Sequence, residues 1–265
     1  MSEPSTKRAR THPSYTLLYH PAIPGRGEYI RLAFEASGVS YSDPANESKQ
    51  GAGQVYSCCS PESLGEEGNP PPFAPPMLKV PGAGKDGKAL LISQTPNILF
   101  YLGEKLDLAG EEPEVEKWHV NELALTALDF SNEAHDTHHP VAVMKYYEDQ
   151  KEEALKKATD FRENRIPKFF GYFERVLKGN ESGGGRCLIG GKLTYADTTL
   201  WQVLDGLYFA FPKELQIREK DYPLLFTKFY PGVKQGKGLK EYLASERRLK
   251  FSNGLFRNYP ELDRQ

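Results

Sequence analysis

Residues 15–38 read YTLLYHPAIPGRGEYIRLAFEASG and determine how the chain begins to fold. The first part, 15–20, is rich in aromatic and β-favouring residues and stops at a proline, which predicts a strand. Across 26–37 the apolar residues recur at helical spacing and Gly38 follows as a C-cap, which predicts a helix with one buried face. A short second strand is predicted at 39–41, so the chain opens strand–helix–strand.

Two further strands and a helix complete the first hundred residues. Apolar runs at 77–80 and 89–92 flank a glycine-rich connection, which predicts an antiparallel hairpin. A helix is predicted at 95–105, with Pro96 in its first turn, where a missing N–H costs nothing. Residues 43–76 are rich in Gly, Pro, Ser and charged residues, and we expect them to form a long loop.

The second half of the chain carries only helical patterns. Residues 106–113 have the composition of a linker, and from 114 onward the apolar residues recur at helical spacing. Thr194 and Asp197 have the spacing of a capping box at the start of an apolar helix. An α/β unit followed by an all-helical unit is therefore predicted.

The composition excludes several functional classes. The chain has 265 residues, with 34 Lys and Arg against 36 Asp and Glu and a formal net charge of −2, so it lacks the basic excess of a nucleic-acid-binding protein. Mean hydropathy is −0.59, and no apolar run approaches the roughly 18 residues of a membrane-spanning helix. Residues 1–13 are polar and are predicted to form a disordered arm without a secretory signal, so we expect a cytoplasmic protein.

Two local patterns resemble chemical sites but are incomplete. His135 and His139 have the His-x-x-x-His spacing of zinc peptidases, but Asp136 stands where glutamate is needed and no third ligand is apparent. We therefore expect no metal. Cys58 and Cys59 are adjacent, and two free thiols are favoured over a strained redox pair.

Five motifs follow one another along the chain: residues 15–19 (YTLLY), 25–28 (GRGE), 75–78 (PPML), 93–102 (SQTPNILFYL) and 188–197 (LIGGKLTYAD). In this order and at this spacing they resemble the cytosolic glutathione S-transferases, most nearly the tyrosine-using classes (sigma, alpha, mu and pi). The resemblance covers nearly the whole chain from residue 15 onward. It implies a thioredoxin-like N-terminal domain at 14–106, an all-helical C-terminal domain at 114–250 and a C-terminal tail at 251–265.

The resemblance also implies which residue activates glutathione. Tyr19 corresponds to the catalytic tyrosine at the end of the first strand. A phenol O–H aimed at sulfur stabilises the thiolate by hydrogen bonding, and the N-terminus of the next helix favours an anion. Tyr15 is expected to be a core aromatic residue, and Arg26 to support the strand–helix junction.

The remaining glutathione-binding residues are assigned by the same resemblance. Pro75 and Pro76 form a cis-proline segment whose backbone would pair with the cysteinyl part of glutathione like an added strand. Gln94 and Thr95 would meet the γ-glutamyl carboxylate at the N-terminus of the third helix. Asp129, on the first long helix, would reach the γ-glutamyl ammonium bound by a partner subunit.

The resulting expectation is an enzyme that conjugates glutathione, its co-substrate, to small hydrophobic electrophiles. A homodimer is expected, with neither nucleic acid nor membrane as a partner. Two alternatives stay open from the sequence alone. One is a non-catalytic protein that binds glutathione or a hydrophobic ligand, or serves as an interaction module. The other is a glutathione-dependent isomerase or peroxidase.

Overall fold

The computed structural model describes residues 12–265, so most of the predicted arm at 1–13 lies outside the described residues. The strands are β1 Tyr15–Leu18, β2 Tyr41–Ser42, β3 Met77–Val80 and β4 Leu90–Ser93. The helices interleaved with them are α1 Gly27–Ser37, α2 Pro44–Glu47, α3 Lys49–Cys58 and α4 Thr95–Lys105. The helices that follow are α5 Pro113–Asp136, α6 Lys151–Asp160, α7 Ile166–Gly179, α8 Tyr195–Ala210, α9 Pro212–Arg218, α10 Tyr230–Lys234 and α11 Leu239–Leu243.

The four strands form one sheet in the order β2-β1-β3-β4. β1 and β2 run parallel with α1 between them in the chain, whereas β3 is antiparallel to both β1 and β4. The predicted strand–helix–strand, hairpin and following helix are therefore confirmed, although β2 begins two residues later than expected. The sheet and the helices interleaved with it form the predicted thioredoxin-like domain. The helices that follow form the predicted all-helical second half. Within residues 12–265, no helix combines the length and apolarity that a membrane crossing requires.

The prediction of a continuous loop at 43–76 is wrong for its first part, which forms α2 and α3. The side chain of Ser48 caps α3 by accepting a hydrogen bond from the N–H of Gly51 at 3.0 Å. Ala45 and Val55 are buried against Leu18 of the sheet. The sequence does not predict these helices because their residues are mostly small or polar. Two buried apolar side chains, Ala45 and Val55, give too weak a helical pattern.

The helical half is centred on α8, which lies against α5 and α1. The predicted capping box is present at its start, where the carboxylate of Asp197 accepts hydrogen bonds from the N–H and the hydroxyl of Thr194 at 2.7 and 2.8 Å. The same buried carboxylate accepts the N–H of Leu188 at 2.7 Å. One side chain thus fixes both the start of α8 and the loop that precedes it.

Residues 251–265 pack back onto the helical half rather than extending from it. Leu255, Phe256 and Leu262 are buried, and the Phe256 ring lies so close to Gly206 that a Cβ there would sit 2.3 Å from it. The carboxylate of Asp263 accepts backbone N–H groups from the first turn of α9 at 2.8 and 3.1 Å. The predicted tail is therefore part of the folded core.

The junction between β4 and α4 contains an unfavourable backbone conformation. Gln94 has φ 72° and ψ 121°, a region that residues other than glycine rarely occupy. Its carbonyl nevertheless accepts the first hydrogen bond of α4, from the N–H of Ile98 at 2.9 Å. The surrounding sheet and helix hold this residue in place, and such residues cluster at functional sites.

Gln94→Gly is expected to raise the free energy of unfolding by about 1 kcal/mol, because relief of the strain exceeds the entropy cost of glycine. Gln54→Gly is the matched control, since Gln54 is an exposed residue inside α3, and there glycine should lower the same quantity by about 1 kcal/mol. Urea denaturation of both variants measures the difference. Equal losses in the two variants would show that the Gln94 backbone is not strained.

Candidate active site

Three of the predicted site segments meet at one end of the strands of the sheet. Leu18 is paired with Met77, and Met77 with Ser93, across β1, β3 and β4. Because neighbouring strands are antiparallel here, the residues just beyond these positions emerge at the same end. Tyr19, the Pro75–Pro76 segment and the start of α4 at Thr95 are therefore brought together, as the resemblance implies.

The side chain of Tyr19 is enclosed by the N-terminus of α1. It is 5 % exposed, and its hydroxyl oxygen accepts a hydrogen bond from the backbone N–H of Arg26 at 2.7 Å. A Cβ at Gly25 would lie 2.1 Å from that oxygen, and one at Gly27 would lie 2.6 Å from the ring. The two glycines therefore allow the helix terminus to close over the phenol.

The hydroxyl of Tyr19 keeps its own proton at neutral pH. Burial raises the pKa of Tyr19, and this effect outweighs the lowering by the Arg26 N–H bond and by the charges of Arg26 and Arg31. Since the oxygen already accepts from Arg26, its O–H is available to donate to a second group. The arrangement provides a neutral hydrogen-bond donor beside a helix N-terminus.

Arg26 also connects the sheet half to α5. Its guanidinium donates a hydrogen bond to the side-chain oxygen of Asn132 at 2.9 Å, and the hydroxyl of Tyr29 donates to that of Ser131 at 2.7 Å. These contacts fix the N-terminus of α1 against the helical half. The strand–helix junction therefore has support from outside its own domain.

The peptide bond between Pro75 and Pro76 is cis, as expected. Pro75 is half-buried and Pro76 is buried. A proline has no backbone N–H, so Pro75 can offer a ligand only its carbonyl. Of the two backbone hydrogen bonds expected from strand-like pairing at this position, Pro75 can therefore make only the one in which its carbonyl accepts.

Thr95 is the first residue of α4 rather than its N-cap, which is Gln94. Thr95 is 3 % exposed, and its hydroxyl is buried with no hydrogen-bond partner among the described residues. A buried hydroxyl without a partner is unfavourable, and a helix N-terminus attracts anions. Thr95 and Gln94, which is exposed, together suit a ligand carboxylate.

The structure places Asp129 on α5 with its side chain exposed. Tyr15, in contrast, is 2 % exposed and lies in the core, packed on Phe34 with ring centroids 5.2 Å apart. The expected distinction between Tyr15, in β1, and Tyr19, directly after β1, is thus visible in their surroundings. Only Tyr19 reaches the helix terminus.

A cluster of three histidines lies at the end of α5, and the sequence analysis missed its third member. His138 joins His135 and His139, with one ring nitrogen of each within 4.8 Å of those of the other two. Burial, together with the neighbouring histidines and Arg257, lowers the pKa of His135 to about 4 and that of His138 to about 3. The His-x-x-x-His spacing includes only histidines four residues apart. It therefore does not include His138, whose ring turns inward where the helix ends.

Comparison with known proteins agrees with this geometry. Residues 135–246 match the family model described as "Glutathione S-transferase, C-terminal domain". The chain is 25% identical over 212 residues to a glutathione S-transferase of Plasmodium falciparum, which covers 79% of this chain and 86% of that protein. It is 26% identical over 231 residues to glutathione S-transferase A4 of Homo sapiens, with 82% of this chain and 89% of that protein covered.

A solved structure supports the same fold along nearly the whole chain. The pi-class glutathione S-transferase of Onchocerca volvulus superimposes with a TM-score of 0.66 at 24% identity, covering 92% of this chain and 100% of that one. The resemblance that the five motifs predict is thereby confirmed: the chain is similar to glutathione S-transferases over most of its length, and residues 135–246 match the C-terminal domain of that family.

Proposed function

We propose that the protein is a cytoplasmic glutathione transferase that joins the glutathione thiolate to small hydrophobic electrophiles. The observation that carries the proposal is the state of Tyr19. Its hydroxyl accepts a hydrogen bond from Arg26 and retains a proton to donate toward the sulfur. The names of the relatives, which are glutathione S-transferases, support the same activity.

Thiolate stabilisation is the chemical step that this site supports. A free thiol titrates near pH 8.5, so most glutathione is protonated and unreactive at neutral pH. A hydrogen bond from Tyr19 to the sulfur favours the anion, and the N-terminus of α1 adds a favourable partial charge. Because burial raises the pKa of Tyr19, the phenol stays a donor instead of competing for the negative charge.

The tripeptide would be held along the edge of the sheet. The Pro75 carbonyl next to the cis bond faces the cysteinyl amide in this proposal, and Pro76 supports it. Thr95 and Gln94 receive the γ-glutamyl carboxylate at the N-terminus of α4, where the Thr95 hydroxyl has no partner among the described residues. Arg26 holds the junction between this site and α5.

Retention on glutathione-agarose followed by a conjugation assay with an aryl halide tests the overall proposal. Retention with turnover supports a transferase. Retention without turnover would favour the non-catalytic alternative. Turnover of peroxides or isomerisable substrates alone would favour a glutathione-dependent peroxidase or isomerase. Failure to bind glutathione would overturn the proposal.

Tyr19→Phe is expected to lower turnover roughly ten- to a hundredfold, since one hydrogen bond to a charged group contributes about 1.5–3 kcal/mol. The ultraviolet absorbance of bound thiolate should titrate at higher pH in this variant. Tyr15→Phe, at the start of β1 where the ring packs on Phe34, is the control and should keep the wild-type titration. An unchanged thiolate titration in Tyr19→Phe would remove Tyr19 as the activating group.

Thr95→Val and Gln94→Ala are expected to weaken glutathione binding roughly tenfold, because each loses contacts to the γ-glutamyl carboxylate. The maximal rate should change little, which is the signature of lost uniform binding. Calorimetry with glutathione measures the affinities, and Thr159→Val on the exposed surface of α6 serves as the control. Wild-type affinity in both site variants would show that the carboxylate binds elsewhere.

A homodimer is part of this proposal, and α5 supplies its support. Trp118 and Leu125 are seven residues apart and Leu125 and Asp129 are four apart, so the three share one face of the helix. Trp118 is 59% exposed and Leu125 is 41% exposed, and Phe73 in the segment before β3 is 92% exposed. Apolar side chains left exposed together are typical of a surface that a partner covers. A second copy docked there would bring Asp129 of one subunit towards the γ-glutamyl site of the other.

Sedimentation equilibrium is expected to show twice the chain mass of 29.8 kDa at micromolar concentration. Trp118→Glu should shift the protein to monomer, because a carboxylate buried in an apolar interface is strongly unfavourable. Met144→Glu is the control, since Met144 is 93% exposed and lies in the loop after α5 rather than on the helix, and it should leave the mass unchanged. A wild-type protein that sediments as a monomer would exclude both the dimer and the role of Asp129.

A further inference from the structure

We propose that His135, His138 and His139 form a binding site for a divalent transition-metal ion, with zinc as the reference ion. The rings lie at the C-terminal end of α5, and their centroids are separated by 4.7 to 4.9 Å. The site stands on its own geometry and does not depend on the proposed transferase activity.

Backbone carbonyls fix the protons of two of the rings. Nε2 of His138 lies 3.1 Å from the carbonyl oxygen of Leu255, and Nδ1 of His139 lies 2.8 Å from that of Lys145. A carbonyl can only accept, so these nitrogens carry the ring protons. Nδ1 of His138 and Nε2 of His139 are left with lone pairs. Histidine ligands of metals commonly donate their other N–H to a carbonyl in this way.

The free nitrogen of His138 provides the second observation. His138 is 1 % exposed, and its Nδ1 is buried without a hydrogen-bond partner among residues 12–265. A buried polar atom of this kind needs a partner. A bound cation would satisfy it directly. His135 is only partly buried, which leaves a route from solvent to the cluster.

The donor set favours a transition metal over magnesium or calcium. Neutral imidazoles are good ligands for zinc, nickel and copper, whereas the hard cations prefer oxygen. Nitrogens bound to one tetrahedral zinc at about 2.0–2.1 Å lie about 3.3 Å apart. One nitrogen of each ring lies within 4.8 Å of the others, so binding requires the rings to turn until the nitrogens with free lone pairs reach this shorter distance. Asp136, 3.8 Å from the ring of His135, offers nearby negative charge.

The position of the cluster predicts a structural consequence. Leu255, whose carbonyl contacts His138, follows Gly254, and a Cβ on Gly254 would lie 3.7 Å from the backbone N of Gly25. The C-terminal segment thus runs from the histidines to the loop beside Tyr19. An ion bound to the three rings would hold that segment against the end of α5.

Titration of the full chain with Zn²⁺ and Co²⁺, without glutathione, tests the proposal. Competition with a chromophoric chelator should show one ion per chain, and the Co²⁺ spectrum should lack thiolate charge transfer, which would mark the cysteines. His135→Gln and His139→Gln should each weaken binding about tenfold or more. His119→Gln is the matched control, because His119 is an exposed histidine on the same helix, and it should bind as the wild type does.

Absence of binding at about 100 µM Zn²⁺, far above the range of a built zinc site, would overturn the proposal, and so would equal affinity in the histidine variants and the wild type. If a variant loses its helical circular dichroism, paramagnetic broadening in the wild-type chain decides the question. Co²⁺ should then broaden the ring signals of His135, His138 and His139. Broadening of the His119 signal alone, or of no histidine signal, would contradict the site.

Discussion

The arrangement of the two halves depends on the buried carboxylate of Glu28. It lies in the first turn of α1 with no exposure to solvent. It accepts hydrogen bonds from Arg31 at 3.0 Å and from the Tyr242 hydroxyl at 2.6 Å, and it is ion-paired with Arg248. Burying a charge without full compensation costs several kcal/mol, so docking of the C-terminal residues, which supply Tyr242 and Arg248, stabilises α1 in this position beyond its own pairing of Glu28 with Arg31. The same turn carries the Arg26 N–H that contacts Tyr19, and domain docking therefore sets the environment of the phenol.

The two ends of the proposed glutathione site are built differently. Around Tyr19 the glycines of the GRG motif permit close packing, and the donor is fixed before any ligand arrives. Next to the cis bond, Pro75 has no N–H and can offer only its carbonyl. Recognition of a bound tripeptide would thus depend more on the start of α4, where Gln94 has a positive φ and the Thr95 hydroxyl lacks a partner in the described chain. Local strain and an unsatisfied hydroxyl are tolerated where a ligand compensates for them.

Elements with a strong local signal were predictable, and contacts made across the fold were not. The strand at 15–18, α1 with Gly38 at its end, and the capping box of Asp197 follow from spacing and capping chemistry, which act within a few residues. α3 carries so few apolar residues that its docking depends on the sheet. The turn of His138 toward the carbonyl of Leu255 links positions 117 residues apart, and no local pattern contains that information. The convergence of the site segments became certain only with the register of the sheet.

Three consecutive residues near the C-terminus connect features that are distant in the sequence. Gly254 lies against Gly25, Leu255 contacts His138 through its carbonyl, and Phe256 fills the space above Gly206. Through this segment, a ligand at the histidines can influence Tyr19 if the segment has two arrangements that the ligand binds with different affinity. The deep insertion of Phe256 against α8 restricts such movement to the residues before it. Coupling between the histidine cluster and the phenol accordingly has two routes. One passes through Gly254 and the backbone of Leu255. The other passes through the end of α5, where Asn132 accepts a hydrogen bond from the same Arg26 whose N–H contacts Tyr19.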